Sequence, residues 1–369
     1  MIKKFSQALT ALATRKLAFE IDLIPLTFED LPRKKITNWL LTESSVAFKP
    51  ARPWGLPTIL QVEPTTRCNL RCRICPVATG LDRPVGDMGL SRFRQLMDEL
   101  GEYLLLIMFW DWGEPFLNPE AYDMIRYARG KGVKVVCSTN GHVFADRDHA
   151  RRVVESGLDA LVFSVDGITQ ESYQRYRRQG RLDTVLQGIR NVVEERRRTG
   201  SSVPLVNFRF IVMKHGEEEV PQVRAFASSL GVDVLTLRKF HFVPGTDGGQ
   251  GSLVPTQLAY QFPALPTETG QPLRVERNPC KNLWNCPTIH WDGTVCSCFM
   301  DYNELRPLGS LEEQSFREIW YSEAYRRLRR DFRRKWTEVD LCGECASGFQ
   351  GGDLGREANA EAFFFHDQG

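Results

Sequence analysis

"EPTTRCNLRCRICP", residues 63–76, places Cys68, Cys72 and Cys75 within eight positions, with arginines between them and a proline after. The gaps are three residues and then two, and no fourth cysteine or histidine lies within 40 residues on either side. A structural zinc site takes four protein ligands, so this loop falls one short. Three thiolates on a tight loop suit three irons of a [4Fe–4S] cluster and leave the fourth iron open to an outside ligand. Arg67, Arg71 and Arg73 bring positive charge that would offset the cluster's own.

The loop follows an apolar run, "TILQVEP" (58–64), and five more runs come after it. They are "LLLIMFWDW" (104–112), "KVVCST" (134–139), "ALVFSV" (160–165), "LVNFRFIV" (205–212) and "VDVLTLRKF" (232–240). Largely continuous apolar character predicts parallel strands covered on both faces. Helical patterns over roughly 90–100, 119–130, 147–157, 183–198 and 217–230 fill the gaps. Each strand runs into a polar or glycine-bearing cluster: the cysteine loop, "GEP" (113–115), "TNG" (139–141), "VDG" (165–167), "MKHGEEE" (213–219) and "KFHFVPG" (239–245). A doubly wound sheet gathers ligands at one switch point, whereas an α/β barrel gathers every such loop at one mouth. The sequence therefore predicts an α/β fold, a partial parallel (β/α)6 barrel over residues 56–242.

Taken in order, these clusters resemble the motifs of radical S-adenosylmethionine (radical SAM) enzymes. "CNLRCRIC" is similar to that family's cluster loop, "WGEP" to its glycine-rich segment after the second strand, and "STNG" and "SVDG" to the segments that follow. The resemblance spans about residues 56–242 and implies a SAM-binding [4Fe–4S] cluster on Cys68, Cys72 and Cys75. It implies that Glu114 holds the methionyl ammonium, that Asn140 lies near the cofactor, and that Ser164 and Asp166 meet its ribose and carboxylate. "YRRQG" resembles a turn that supplies Arg177 to the carboxylate, with Arg178 and Arg181 as competitors. Singly, Asn140 and Asp166 also read as ordinary tight-turn residues.

Six further cysteines fall between residues 280 and 345. Cys280 and Cys298 are separated by seventeen residues, Gly293 precedes the latter, and Cys342 and Cys345 form a C-x-x-C pair. This spacing is similar to the SPASM/Twitch branch of the family, which implies a small C-terminal cysteine-rich module over 280–348 with one auxiliary [4Fe–4S] cluster on those four thiols. Four cysteines also make a zinc site, which stays open at this point. Cys137 and Cys286 read as small buried hydrophobes, and Cys296 as either that, a substitute ligand or a hydrogen-atom donor.

The rest of the chain sets limits. Its 369 residues are 42% hydrophobic and 25% charged with a formal net charge of +2, a globular composition with scattered basic residues and no sign of a nucleic-acid binder. No apolar run approaches the roughly 18 residues of a membrane span. Ten cysteines point to metal or redox chemistry in a cytoplasmic protein rather than to disulfides. Residues 1–55 read as a helical extension, with Ile2, Phe5, Leu9 and Leu12 on a face docked to the protein's own body. Lys3, Lys4, Arg15 and Lys16 leave a peripheral contact with anionic lipid open. Residues 243–279, rich in Gly and Pro, read as a linker or flap over the barrel mouth, and 349–369 as a loose tail that Phe363, Phe364 and Phe365 can pin.

The resemblance implies reductive cleavage of SAM to a 5′-deoxyadenosyl radical, hydrogen abstraction from a substrate, and electron transfer through the auxiliary cluster. It also implies an electron donor such as flavodoxin or ferredoxin. A small molecule, carbohydrate or peptide is the expected substrate; residues 1–55 are too few for a leader-recognition domain, which favours a small molecule, a carbohydrate or a short peptide. His215 and His241, after the fifth and sixth strands, are candidate acid–base groups, and no catalytic residue is assigned. The rival readings are a non-catalytic iron–sulfur electron carrier and a zinc-stapled binding protein.

Overall fold

The computed structural model describes residues 2–241, 243, 249–262, 274–348 and 358–365, with side chains from residue 7 onward. From the N-terminus come α1 (Ile2–Thr14), β1 (Leu17–Ile21), β2 (Ile24–Phe28) and α2 (Arg33–Phe48). The central run is β3 (Ile59–Val62), α3 (Pro76–Thr79), α4 (Leu90–Leu100), β4 (Leu106–Met108), α5 (Ala121–Gly130) and β5 (Lys134–Thr139). It continues through α6 (Arg147–Glu155), β6 (Ala160–Ser164), α7 (Gln170–Tyr176), α8 (Leu182–Thr199), β7 (Leu205–Val212), α9 (Val220–Ser229) and β8 (Val234–Lys239). The C-terminal part adds α10 (Asn282–Asn285), β9 (Thr288–Ile289), β10 (Thr294–Cys296), β11 (Gly309–Ser310), α11 (Phe316–Trp320), α12 (Glu323–Lys335) and β12 (Asn359–Phe364).

β3 to β8 are neighbours in chain order and pair in parallel throughout. Side chains alternate across this sheet. Ile107, Cys137, Leu161, Phe163, Phe208 and Leu235 point outward into the core shared with the helices. α8 supplies Leu182, Val185, Ile189 and Val192 to that core at helical spacing, and ends where Gly200 turns left-handed at φ 66°. The inward set, Leu106, Val136, Ala160 and Val162, packs on Ile24 and Leu26. The curled sheet thus wraps the β1–β2 hairpin.

That hairpin corrects the expectation of a purely helical extension. Its turn places Asp22 and Leu23 at φ 55° and 62°, a primed geometry without the glycine or asparagine that marks one in sequence. The α1 face differs as well. Ala11 is the buried contact, while Leu9 and Leu12 are 53% and 57% exposed. The side chains of Ile2 and Phe5 lie outside the described residues.

The C-terminal part is hydrogen-bonded to the barrel. β9 extends the sheet in parallel beside β3, and β10 and β11 continue it antiparallel. Asn285 accepts from the Thr58 amide at 3.1 Å and its hydroxyl at 2.6 Å, and the indoles of Trp284 and Trp320 donate to the carbonyls of Pro50 and Gly55. At the other edge the tail, expected to be loose, is tied down by β12, which pairs antiparallel with β8 and packs Phe363 on the core.

Ile24→Ala should lower the unfolding free energy by about 2–5 kcal/mol in a denaturant titration, because Ile24 is fully buried inside the curled sheet. Leu12→Ala, on the exposed side of α1, should change it by less than about 0.5 kcal/mol.

Candidate functional site

The cysteine loop is clamped by backbone from two sides. The Glu114 amide donates to the Arg67 carbonyl at 2.7 Å, and the amides of Arg71 and Arg73 donate to the carbonyls of Arg178 and Tyr176 at 3.1 and 3.0 Å. Gly113 makes the first clamp possible: at φ 147°, a Cβ there would stand 2.1 Å from the Thr65 carbonyl oxygen. The loop's Leu70, Cys72 and Ile74 share an apolar cluster with Tyr176, Phe240, Val243, Leu253, Phe262 and Tyr302, and Cys68 and Cys75 pack against it. Val243, Leu253 and Phe262, with Tyr302 of the C-terminal part, therefore all contribute to the cover over the three cysteines.

All ten cysteines are thiols rather than disulfides. Burial, with Glu114 and Cys72 nearby, pushes Cys68 up to about 11, and burial with the charges of Cys72 and Cys68 pushes Cys75 up to about 12. Burial also raises Cys72, although Arg177 opposes it. Cys137 and Cys286 are raised by burial in the same way, so the distinguishing feature is that Cys68, Cys72 and Cys75 stand close enough to act on one another, as the donors of a shared metal centre must. The donor set therefore fits an iron–sulfur cluster.

The other candidates meet around this loop. Glu114 is 1% exposed; its carboxylate accepts from the Thr139 hydroxyl and the Asn140 amide, each at 2.7 Å. Burial raises it to about 7 against these hydrogen bonds. The Asn140 side-chain amide donates to Asn69 Oδ1 at 2.7 Å and lies 3.8 Å from Cys68 Sγ. Ser164 Oγ is 3.2 Å from Ser138 Oγ on the inner face. Asp166, held at φ 58°, accepts from the Ile211 amide at 2.7 Å and from Arg177 Nε at 2.7 Å. Arg177 Nη1 then reaches Cys72 Sγ at 3.6 Å.

The arginines divide differently from the sequence expectation. Arg67 pairs with Asp87 at 3.4 Å, Arg71 folds back on the carbonyls of Cys68 and Leu70, and Arg73 donates to Ser252. The guanidinium that touches a loop thiol belongs to Arg177. Arg178 gives the loop only its carbonyl, and the Arg181 amide donates to His142. Burial lowers His215 and brings His241 down to about 4, so both rings are neutral at pH 7.

In the C-terminal part, Cys280, Cys298, Cys342 and Cys345 form a second group. Burial raises Cys298 well above the usual thiol range, and the charges of Cys345, Cys280 and Cys342 add to it. Burial, Cys280 and Cys345 likewise raise Cys342. The Met300 amide donates to Cys298 Sγ at 3.3 Å, a contact suited to a thiolate. Cys137 and Cys286 are buried, as expected. Cys296 is buried too and lies 4.0 Å from His290 Nδ1.

His290 belongs to a network that sequence reasoning missed. Its Nδ1 is 2.8 Å from Glu304 and its Nε2 3.6 Å from Asp111, with Glu63 and Arg83 paired alongside. Burial opposes its charge, yet Asp111, Cys296 and Glu304 raise His290 well above the ordinary imidazole range. The only sequence signal was a histidine inside an otherwise apolar strand pattern.

Glu114 gives a pH test. Its folded value of about 7 exceeds the ordinary glutamate value of 4.5, so its contribution to stability is full below pH 4.5 and is lost as pH rises through 7. Between pH 5 and 8 the melting temperature of the SAM-free protein should therefore fall further in wild type than in Glu114→Gln. Equal falls would remove the buried-carboxylate account.

Residues 62–227 match the family model described as the Radical SAM superfamily, and residues 280–346 match the one described as an iron–sulfur cluster-binding domain, SPASM. The tungsten-containing aldehyde ferredoxin oxidoreductase cofactor-modifying protein of Pyrococcus furiosus is 25% identical over 317 residues, 78% of this chain and 86% of that protein. The AdoMet-dependent heme synthase of Methanosarcina barkeri is 24% identical over 306 residues, covering 74% and 85%. Among solved structures, Streptococcus suis SuiB bound to S-adenosylmethionine shares the fold with a TM-score of 0.62 at 14% identity, over 93% of this chain and 82% of that one.

Proposed function

This chain belongs to the radical SAM superfamily, with a SPASM iron–sulfur domain behind the barrel, and from that premise we propose a division of labour among its residues. The protein is an enzyme that uses SAM and a [4Fe–4S] cluster, together with auxiliary iron–sulfur binding. Cys68, Cys72 and Cys75 hold the SAM-binding cluster, and Cys280, Cys298, Cys342 and Cys345 hold one auxiliary [4Fe–4S] cluster. SAM, when bound there and reduced by one electron, supplies a 5′-deoxyadenosyl radical that abstracts hydrogen from an unactivated carbon.

The observation that carries this reading is the convergence of the loops after β3, β4, β5 and β6 on three thiols at one mouth. Glu114 accepts from the Thr139 hydroxyl, the Asn140 amide and, at 3.5 Å, the Phe116 amide, and keeps its remaining lone pair for the methionyl ammonium. Asn140 orients the loop through Asn69. Ser164, Asp166 and Arg177 take the ribose and carboxylate side, with Arg177 also meeting Cys72. The apolar cover of Val243, Leu253 and Phe262 excludes water from the mouth.

Of the relatives named above, one is a cofactor-modifying protein and one a heme synthase, and SuiB has also been solved bound to the precursor peptide SuiA. For this chain the reading is a small molecule, carbohydrate or short peptide as substrate, with a flavodoxin or ferredoxin as donor and the cytoplasm as location. Among the described residues no helix is long and apolar enough to cross a membrane.

Reconstituted wild type should carry about eight irons and release 5′-deoxyadenosine with SAM and dithionite. The Cys68→Ala/Cys72→Ala/Cys75→Ala protein should keep about four irons and release none. Zinc in place of those four would make the C-terminal site a structural staple, and persistent cleavage would remove the loop assignment.

SAM binding should tighten from pH 6 to pH 8 in wild type, because Glu114 ionises at about 7. Glu114→Ala should bind about tenfold or more weakly, with a flat profile, in calorimetric titration. An unchanged affinity would return Glu114 to a loop-tying role.

A further inference from the structure

The inner face of the sheet changes character with height. Low down, Leu106, Val136, Ala160 and Val162 are sealed by the hairpin. Higher up, Met108, Trp110, Ser138, Ile211 and Arg238 are only partly buried, whereas their outward neighbours Ile107, Phe109, Cys137, Val212 and Leu237 are buried. Residues facing inward in a curled sheet reach solvent only through an open chamber. The chamber lies above the hairpin and below the cysteine loop.

Its floor is charged. Asp22, at the hairpin turn, receives Arg238 Nη1 at 2.9 Å on each oxygen, Arg209 through Nη2, and Asn359 Nδ2 at 2.9 Å. Burial opposes its charge, but Arg209 and Arg238 hold the carboxyl at about 2, so it is ionised. Two guanidiniums thus face one carboxylate. The nearest other acid, Asp166, is already committed to Arg177 and the Ile211 amide, and His241, beside Arg238, is neutral. Arg209 Nε is buried without a hydrogen-bond partner. Among the described residues Arg238 donates only through Nη1, and its side chain remains 16% exposed. Strand register sets Arg238 level with Ile211, whose amide binds Asp166, so its free donors stand at the height of the proposed SAM-facing residues.

A structural ion cluster in a low-dielectric site balances its charges, and this one retains a positive excess beside open space. We propose that the chamber floor is an oxyanion subsite: the substrate carries a carboxylate or phosphate that docks on Arg238 and Arg209 against the tip of the hairpin. This rests on the reading of the chamber as the substrate site and adds the substrate's chemical class. Planar guanidinium donors suit either group through paired hydrogen bonds. The hairpin then acts as a depth gauge, since its Asp22 fixes how far down an anion can reach and repels one that would go lower.

The test is calorimetric titration of the iron–sulfur-reconstituted protein, without reductant, with inorganic phosphate and separately with succinate at constant ionic strength. At least one probe should bind wild type, about tenfold or more weakly to Arg238→Gln, and more tightly to Asp22→Asn, which uncovers a second positive charge. The probe that obeys this pattern names the group. Failure of both probes to bind, or equal affinity in wild type and Arg238→Gln, overturns the subsite. Should Asp22→Asn fail to fold, the comparison with Arg238→Gln decides alone. The readout needs no SAM cleavage, so a protein that binds the probe as expected yet never cleaves SAM would keep the subsite and lose the functional reading.

Discussion

A barrel that stops at six strands has two raw edges and a hollow it cannot fill. Unpaired edge groups invite foreign strands, and an uncovered apolar inner face costs the stability that the outer helices provide. Most features of this chain outside residues 56–242 answer that constraint. β9 to β11 cover the β3 edge, β12 covers the β8 edge, and the β1–β2 hairpin fills the lower hollow. Above it the inner face is only partly buried, and the loops with the cysteines, Glu114 and Asp166 surround that upper hollow.

The same economy places the second cysteine group. Because β9 pairs directly with β3, the strand that launches the cysteine loop is also the strand that carries the C-terminal part. Trp112 donates to the Phe299 carbonyl at 3.0 Å, next to Cys298, so the loop after β4 touches the second group too. Buried contacts between the halves, His290 with Asp111 and Arg83 with Glu304 and the Tyr302 carbonyl, penalise any sliding of one half over the other, since a shifted register would strand a charge. Their contribution is geometric more than energetic.

Much of this was legible in the sequence because its signals are local. Continuous apolar runs gave six strands in order, and the clusters that follow them gave the mouth. Cys68, Glu114, Asn140 and Arg177 come together because each sits at a strand or helix end whose position the βα repeat dictates. What escaped was non-local. The β1–β2 strands are short, and their turn lacks the usual residues; β12 is six residues in a stretch of low pattern; and the partners of His290 and Asp22 are separated from them by tens to hundreds of positions. The apolar face of α1 was read from its leucines, yet the helix docks through alanine, which permits closer approach to Leu17 and Trp39.

The contact between Asp22 and Asn359 spans 337 residues, and it orders events during synthesis. The hairpin is synthesised before the barrel strands, but its apolar side has nothing to bury against until β4, β5 and β6 exist, and its carboxylate waits for Arg209, Arg238 and finally Asn359. The edge of β8 stays bare for the same interval. The barrel strands pair in chain order, whereas the hairpin and β12 contacts are distant pairings that form late and leave apolar surface exposed meanwhile. A chain without β12 carries an unpaired β8 edge and an Asp22 that has lost its Asn359 hydrogen bond, so a strand far in sequence from the cysteine loop helps to shape the lumen beneath it.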